Sequence, residues 1–125
     1  MSRSRSTAKQ AGTTFETWTG EYLAEALGDD RIERRARSGG KDRGDLTGIR
    51  TLLGDRVVVE VKNVARLDLA GWITEAAVEA GNDDAAVGVV VHKRRSKGRA
   101  QMGDQYVTMR LADFAVLLGG NKGEN

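Results

Sequence analysis

Apolar residues recur every three or four positions over residues 13–27, a spacing that is typical of an amphipathic helix. Either Thr13 or Thr14 can cap such a helix, and Gly28 can end it. We therefore predict a helix from about residue 13 to Leu27. Its apolar stripe consists of Phe15, Trp18, Tyr22, Leu23, Ala26 and Leu27.

The same periodicity returns after Asp68, which can cap a second helix that ends at Gly81. Within this helix, Glu75 and Glu79 are predicted to lie on the outer, solvated side. A short closing helix is expected over 111–118. The apolar face of the second helix consists of Leu69, Trp72, Ile73, Ala76, Ala77 and Ala80.

Strand patterns separate these helices. The pair Gly54-Asp55 lies between two such patterns and predicts a hairpin. One later segment is apolar throughout, as expected for a strand that is covered on both faces. The segments predicted as strands are 31–37, 46–53, 56–62, 86–91 and 105–111. The order αβββαβ, followed by βα, predicts an α/β fold with a mixed sheet flanked by helices.

The chain has 125 residues, which predicts one compact domain, and we assign it to residues 12–118. Residues 1–11 are predicted to form a disordered basic tail and residues 119–125 a flexible one. The chain has no cysteine, no apolar signal segment and no apolar run long enough to cross a bilayer. We therefore expect a cytoplasmic protein without a membrane partner.

The net charge is only +2, so the distribution of charge carries more information than its sum. Two basic runs stand out, and such runs can bind phosphate groups or can be solvated loops. The first run contains Arg31, Arg34, Arg35, Arg37, Lys41 and Arg43, and the second contains Lys93, Arg94, Arg95, Lys97 and Arg99.

Ionisable side chains occur inside the valine-rich predicted strand 56–62. Successive side chains of a strand point to opposite faces, so three valines share one face while Glu60 and Lys62 share the other. A carboxylate and an ammonium group are costly to bury there unless they are paired or bound to a metal. Asp45, at the entrance of the preceding strand, can complete a metal site or satisfy turn amides, and Asp42 is a rival of the same type. A structural ion network is the alternative.

Glu16 is the acid of the first helix that is best placed to reach a buried site. At 100° per residue it falls between Leu23 and Leu27, inside the apolar stripe. The sequence Thr13-x-x-Glu16 is also a capping box, in which the carboxylate would bind a backbone N–H group. Both interpretations are open at this point.

The single histidine, His92, comes directly after the predicted strand 86–91. We expect it to be a hydrogen-bonded or an exposed side chain. A lone histidine cannot supply a two-histidine metal motif, which argues against zinc hydrolases and histidine-rich nucleases.

Asp45 and Glu60-Val61-Lys62 resemble the bipartite motif of the PD-(D/E)XK nuclease superfamily, with Gly44 in the place of the motif's proline. Within that superfamily the chain is most similar to archaeal-type and phage-encoded Holliday junction resolvases. Gly12-x-x-Phe15-Glu16 resembles the start of their first helix, and Arg37-Ser38-Gly39-Gly40 resembles their mobile loop. The resemblance implies a restriction-endonuclease-like fold with an αβββαβ core.

The resemblance also implies hydrolysis of DNA phosphodiesters with Mg²⁺ or Mn²⁺ as the cofactor. The implied metal ligands are Asp45, Glu60, Glu16 and the carbonyl group of Val61. Oxygen ligands of this kind suit hard cations. Lys62 would orient or deprotonate the attacking water and stabilise charge that develops on the phosphate.

The implied partners are branched DNA, above all four-way junctions, and a second copy of the chain, because two opposed strands must be cut. The location would then be the cytoplasm, or the host cytoplasm for a phage protein. The residues expected to contact DNA are Arg35, Arg37, Ser38, Lys41, Arg43, Lys93, Arg94, Arg95, Lys97 and Arg99. A restriction- or repair-type nuclease acting on duplex DNA and a non-catalytic DNA-binding protein are the alternatives.

Overall fold

The structure, a computed structural model, describes residues 4–35 and 44–121. Its elements follow the predicted order, with an additional 3₁₀ helix before the last strand. They are α1 (Arg5–Leu27), β1 (Glu33–Arg34), β2 (Leu46–Thr47), β3 (Val57–Lys62), α2 (Leu69–Asn82), β4 (Val87–His92), the 3₁₀ helix (Arg99–Asp104), β5 (Tyr106–Thr108) and α3 (Leu111–Leu117). The predicted α/β class is confirmed.

The sheet is mixed, as predicted. Strands β3 and β4 are parallel, β5 pairs antiparallel with β4, and β1 pairs antiparallel with β2. A hairpin connects the two parts: the N–H of Val57 donates to the carbonyl of Ile49 at 3.0 Å, and Arg50 pairs with Arg56 in an antiparallel bridge. Helix α2 is the crossover that joins the two parallel strands.

Helices cover both faces of β3 and β4. The three odd-numbered valines of β3 pack with Phe15 of α1 in one apolar cluster. On the opposite face, Val90 of β4 packs with Trp72 and Ala76 of α2. All six residues of β4 are buried, so the prediction of a strand covered on both faces is confirmed.

Helix α1 begins earlier than predicted. Its N-cap is Ser4, whose side chain accepts from the N–H of Thr7 at 3.2 Å, so the predicted caps at Thr13 or Thr14 are wrong. Residues 5–11, predicted to belong to a disordered tail, are helical. This segment contains alanine, lysine and glutamine, which favour helices, but it lacks an apolar stripe, so periodicity did not indicate it. The predicted end at Gly28 is confirmed, with φ of 62°.

Several predicted elements are longer than the observed ones. In the segment 46–53 only Leu46 and Thr47 form a strand, and Arg50 adds an isolated bridge. A tight turn begins at Thr51, whose N–H donates to the carbonyl of Asp55 and whose carbonyl accepts from the N–H of Gly54. Of the described residues in the predicted strand 31–37, only those of β1 form a strand, and the predicted strand 105–111 is reduced to β5. Helix α2 passes Gly81 and is capped at Asp83.

Among the described residues, no helix combines the length and the apolar character that a membrane span requires.

The close approach of α2 to β4 depends on Gly88. A Cβ atom at this position would lie 2.7 Å from the backbone carbonyl oxygen of Ala76. We therefore predict that Gly88→Ala lowers the free energy of unfolding by about 1–3 kcal/mol, since α2 must move away from the sheet. Urea denaturation monitored by circular dichroism measures this change.

Gly12→Ala is the matched control, because an added Cβ there meets no atom within 4 Å. Within helix α1 this change should stabilise the protein by about 0.5–1 kcal/mol. Equal unfolding free energies for the two variants would contradict the assigned role of Gly88.

Candidate active site

The polar face of β3 lies beneath α2. Glu60 and Lys62 are in register with Val90 and His92 of β4, and Glu60 is only 5% exposed. The ammonium Nζ of Lys62 is 3.5 Å from Glu60 Oε1 and 2.6 Å from Glu75 Oε1. The predicted pairing of Glu60 with Lys62 is therefore present, and α2 adds a further carboxylate to it.

Asp45 lies at the edge of β3 that does not pair with β4, where it makes two hydrogen bonds to the backbone of the strand. Its N–H donates to the carbonyl of Val59 at 3.0 Å, and its Oδ2 accepts from the N–H of Val61 at 2.7 Å. The negative charge of Asp45 is close enough to contribute to the raised pKa of Glu60. The structure thus brings Asp45, Glu60 and Lys62 together, as the sequence predicted.

Gly44, in the place of the motif's proline, has a backbone conformation that proline cannot adopt. Its φ is 93°, whereas the proline ring holds φ near −65°. A Cβ atom here would also lie 2.9 Å from Cγ1 of Val58. Glycine therefore lets the chain pass close over β3 and deliver Asp45 to the strand.

Helix α2 contributes Glu79, a residue that the sequence prediction placed in solvent. That prediction is wrong, because Glu79 is 3% exposed and lies against Glu60. Its position was nevertheless recognisable, since Trp72, Ala76 and Glu79 follow the i, i+4, i+7 spacing of one helix face. Glu75 is more exposed, and its carboxylate binds Lys62.

Glu60, Glu75 and Glu79 form a carboxylate cluster in which one oxygen from each lies within 4.8 Å of the others. Burial, then the hydrogen bond with Glu79 and the charge of Asp45, raise the pKa of Glu60 to about 11. In the described part of the chain, Glu60 Oε2 accepts from no N–H or hydroxyl group. Without a cation, a hydrogen bond between the two carboxyl groups requires a proton on one of them.

The donor set of the cluster fits a hard divalent cation. Its ligand atoms are carboxylate oxygens, which Mg²⁺ and Mn²⁺ prefer. A cation would replace the shared proton and would give Glu60 Oε2 a partner. The residues present are therefore suited to the metal that the sequence predicts.

Lys62 keeps its proton at this site. Burial lowers the pKa of Lys62, but the hydrogen bond to the Glu75 carboxylate and the negative charge around the ammonium group raise it above the usual value. Of the three predicted roles of Lys62, orientation of the attacking water and stabilisation of negative charge fit a protonated side chain, whereas deprotonation of water does not.

Glu16 lies away from the carboxylate cluster. Its Oε2 accepts from Arg34 Nε at 2.8 Å, which joins α1 to β1. The capping box is wrong, because Glu16 lies eleven residues inside a helix that begins at Arg5. No contact of the described residues supports Glu16 as a metal ligand, and that role remains a prediction.

The second basic run is anchored by contacts within the protein. Arg94 stacks on Tyr106 with its guanidinium 4.4 Å from the ring centre and donates to the carbonyl of Asp104. Arg99 Nη2 lies 2.9 Å from Glu21 Oε2. Lys97 Nζ is 3.9 Å from Asp104 Oδ2. Arg95 is exposed. In the first run, Arg37, Ser38, Lys41 and Arg43, together with Asp42, lie outside the described residues.

His92 is a buried and hydrogen-bonded histidine, one of the two environments predicted for it. Its Nε2 is 2.7 Å from Oγ1 of Thr108, and its ring lies between Trp72 and Tyr106. Burial lowers the pKa of His92, so the neutral imidazole is favoured in the folded protein.

The raised pKa of Glu60 predicts that the metal-free protein loses stability as pH rises. The folded state favours the protonated carboxyl, so its stabilising effect is complete below the ordinary pKa of 4.5 and is lost as pH rises toward about 11. The slope cannot exceed about 1.4 kcal/mol per pH unit for one proton. Melting in EDTA between pH 7 and pH 9, above the lowered pKa of His92, measures it, and Mg²⁺ should raise the melting temperature more at pH 9.

Glu79→Gln should reduce this pH dependence, because the introduced amide donates to ionised Glu60 and removes a neighbouring charge. Glu25→Gln, an exposed position on the outside of α1, is the control and should keep the wild-type slope. A wild-type melting temperature that is constant from pH 7 to pH 9 would contradict the buried, protonated Glu60.

Comparisons of the chain with protein-family models, curated proteins and solved structures found no match.

Proposed function

We propose that this protein is a Mg²⁺- or Mn²⁺-dependent DNA endonuclease with the restriction-endonuclease-like fold of the PD-(D/E)XK superfamily. The observation that carries the proposal is the convergence of Asp45, Glu60 and Lys62 beside a carboxylate cluster that fits a hard cation. These groups occupy the end of β3 that the sequence motif indicates.

The proposed metal ligands come from β3, from the residue attached to it and from α2. Asp45, Glu60 and Glu79 would supply carboxylate oxygens, with Glu75 at the more exposed side. The carbonyl of Val61 points toward the same strand edge as its N–H, which binds Asp45. Glu16 is left out of this set because Arg34 binds its carboxylate.

When bound, the metal would polarise the phosphate and lower the pKa of a water molecule. Lys62 would donate a hydrogen bond to a non-bridging phosphate oxygen and so stabilise the negative charge that develops there. Glu75, at 2.6 Å from Lys62 Nζ, would hold the ammonium group in position. Buried valines around β3 and β4 would limit the access of bulk water.

We further propose a homodimer that cuts branched DNA, the substrate class of the resolvases that the motifs resemble. A four-way junction has two opposed strands to cut, whereas the chain carries one candidate site. Exposed apolar side chains on β5 and α3 offer area for a subunit contact. They are Val107, Leu111, Phe114 and Leu118.

One observation favours a non-catalytic alternative. Glu60 and Glu79 are almost completely buried. The ammonium group of Lys62 lies 3.5 Å from Glu60 and compensates negative charge inside the protein. The same residues would then form a structural network in a DNA-binding protein. A restriction- or repair-type nuclease differs from the main proposal only in its substrate geometry.

Asp45→Asn and Glu60→Gln should each reduce metal-dependent DNA cleavage at least about 100-fold, because each removes a ligand charge. Both variants should fold, since the amide oxygen at position 45 can still accept from Val61 and Glu60 is protonated without metal. Cleavage of labelled four-way junction and matched linear duplex, with Mg²⁺ or EDTA, measures this effect.

Glu25→Gln is the control for this assay and should cleave at the wild-type rate. Wild-type rates in both site variants would remove the nuclease proposal. Equal cleavage of junction and duplex by a monomer would instead favour the restriction- or repair-type nuclease.

The contact between Glu16 and Arg34 predicts a structural role for Glu16. Glu16→Gln and Arg34→Gln should each cost less than about 1 kcal/mol of stability, because the pair is partly exposed. Both should retain wild-type cleavage, as measured by urea denaturation and by the junction assay. Loss of cleavage in Glu16→Gln alone would restore Glu16 to the metal site.

A further inference from the structure

A polar pocket lies at the opposite end of β3 from Lys62. It has a volume of about 290 Å³ and lies between the β2–β3 hairpin and the C-terminal end of α2. Three arginines, Arg35, Arg50 and Arg56, line it together with Asp83. We call it the arginine pocket.

Strand geometry explains why these arginines converge. Arg34 and Arg35 are adjacent and point to opposite faces, so Arg34 reaches Glu16 of α1 while Arg35 points toward Asp83 at the end of α2. Arg50 and Arg56 are bridge partners across the hairpin, which places their side chains side by side.

Among the described residues that line the pocket, positive charge exceeds negative charge. Their one carboxylate, Asp83, is 3.7 Å from Arg35 Nη2 and 4.0 Å from Arg56 Nη1, and both distances are too long for a strong hydrogen bond. Arg56 and Arg50 donate to backbone carbonyls, those of Asp83 and Gly54, at 2.8 Å. Three guanidinium groups thus face a single carboxylate.

One donor of the pocket lacks an acceptor. Arg35 Nε is buried, and no oxygen of the described residues accepts its N–H. A buried donor of a charged group is costly to leave without a partner. An anion in the pocket would supply that acceptor and would balance the excess charge.

The structure leads us to infer that the arginine pocket binds a phosphate group. Guanidinium forks match the oxygens of phosphate in geometry, and the group is anionic at pH 7, with close to two negative charges as a monoester and one as a backbone diester. The pocket volume is at the small end of ligand sites, which suits a phosphate with little attached to it. The group can come from free phosphate or from a nucleic acid backbone. Neither source requires the proposed nuclease activity.

The test uses the full chain in EDTA, with inorganic phosphate as the probe and calorimetry as the measurement. Arg50→Gln should weaken phosphate binding at least about tenfold, because it removes a charged donor from an exposed hairpin. Asp83→Asn should strengthen it, because the competing carboxylate is removed. Arg95→Gln makes the same charge change on an exposed loop and should leave the affinity unchanged.

A duplex DNA titration in EDTA distinguishes the two sources. If the pocket takes a backbone phosphate, Arg50→Gln lowers the slope of log K against log salt by about 0.9. If the pocket takes free phosphate, the slope stays at the wild-type value while phosphate binding is still lost. Absence of saturable phosphate binding in the wild type, or equal weakening by Arg50→Gln and Arg95→Gln, would overturn the inference.

Discussion

The burial of Glu60 between the valine-rich sheet and α2 is the constraint on which the candidate site depends. A carboxylate in such a place favours its neutral form or a positive partner, because the surrounding protein solvates a charge poorly. Lys62 supplies one positive partner, and Glu79 supplies a carboxyl group with which a proton can be shared. A divalent cation would satisfy the same need more completely. The burial that makes an ionised Glu60 costly in the metal-free protein would therefore also favour the binding of the proposed metal.

This arrangement depends on backbone packing as much as on charge. Gly88 lets α2 approach β4 closely enough for Glu79 to lie over Glu60. Gly44 lets the segment before β2 pass over Val58 and deliver Asp45 to the edge of β3. Two residues without side chains thus bring together the carboxylates of three separate segments.

The two polar sites at opposite ends of β3 differ in sign. The carboxylate cluster is acidic and lies beside Lys62, whereas the arginine pocket is positive and includes Asp83 at the C-terminal end of α2. The two sites are separated by about four residues of β3, or roughly 13 Å. Such a pair of sites suits a polyanion that is held by its phosphates at one end and approaches a metal at the other. The proposed DNA substrate has this property.

The local sequence determined much of this protein. Alternation in β3 placed three valines on one face and Glu60 with Lys62 on the other, because the period of a strand is fixed by its backbone. The apolar run of β4, the cap at Asp68 and the stop at Gly28 were predicted for the same reason: each depends on the nearest few residues. The tertiary structure decided the rest. The spacing of Trp72, Ala76 and Glu79 puts them on one face of α2, but only the packing of α2 turns that face toward Glu60. Glu16 pairs with Arg34, although the sequence equally permitted a metal ligand or a helix cap. The arginine pocket combines residues from β1, the hairpin and the end of α2. A contact between distant segments depends on how whole elements pack, and no local pattern encodes it.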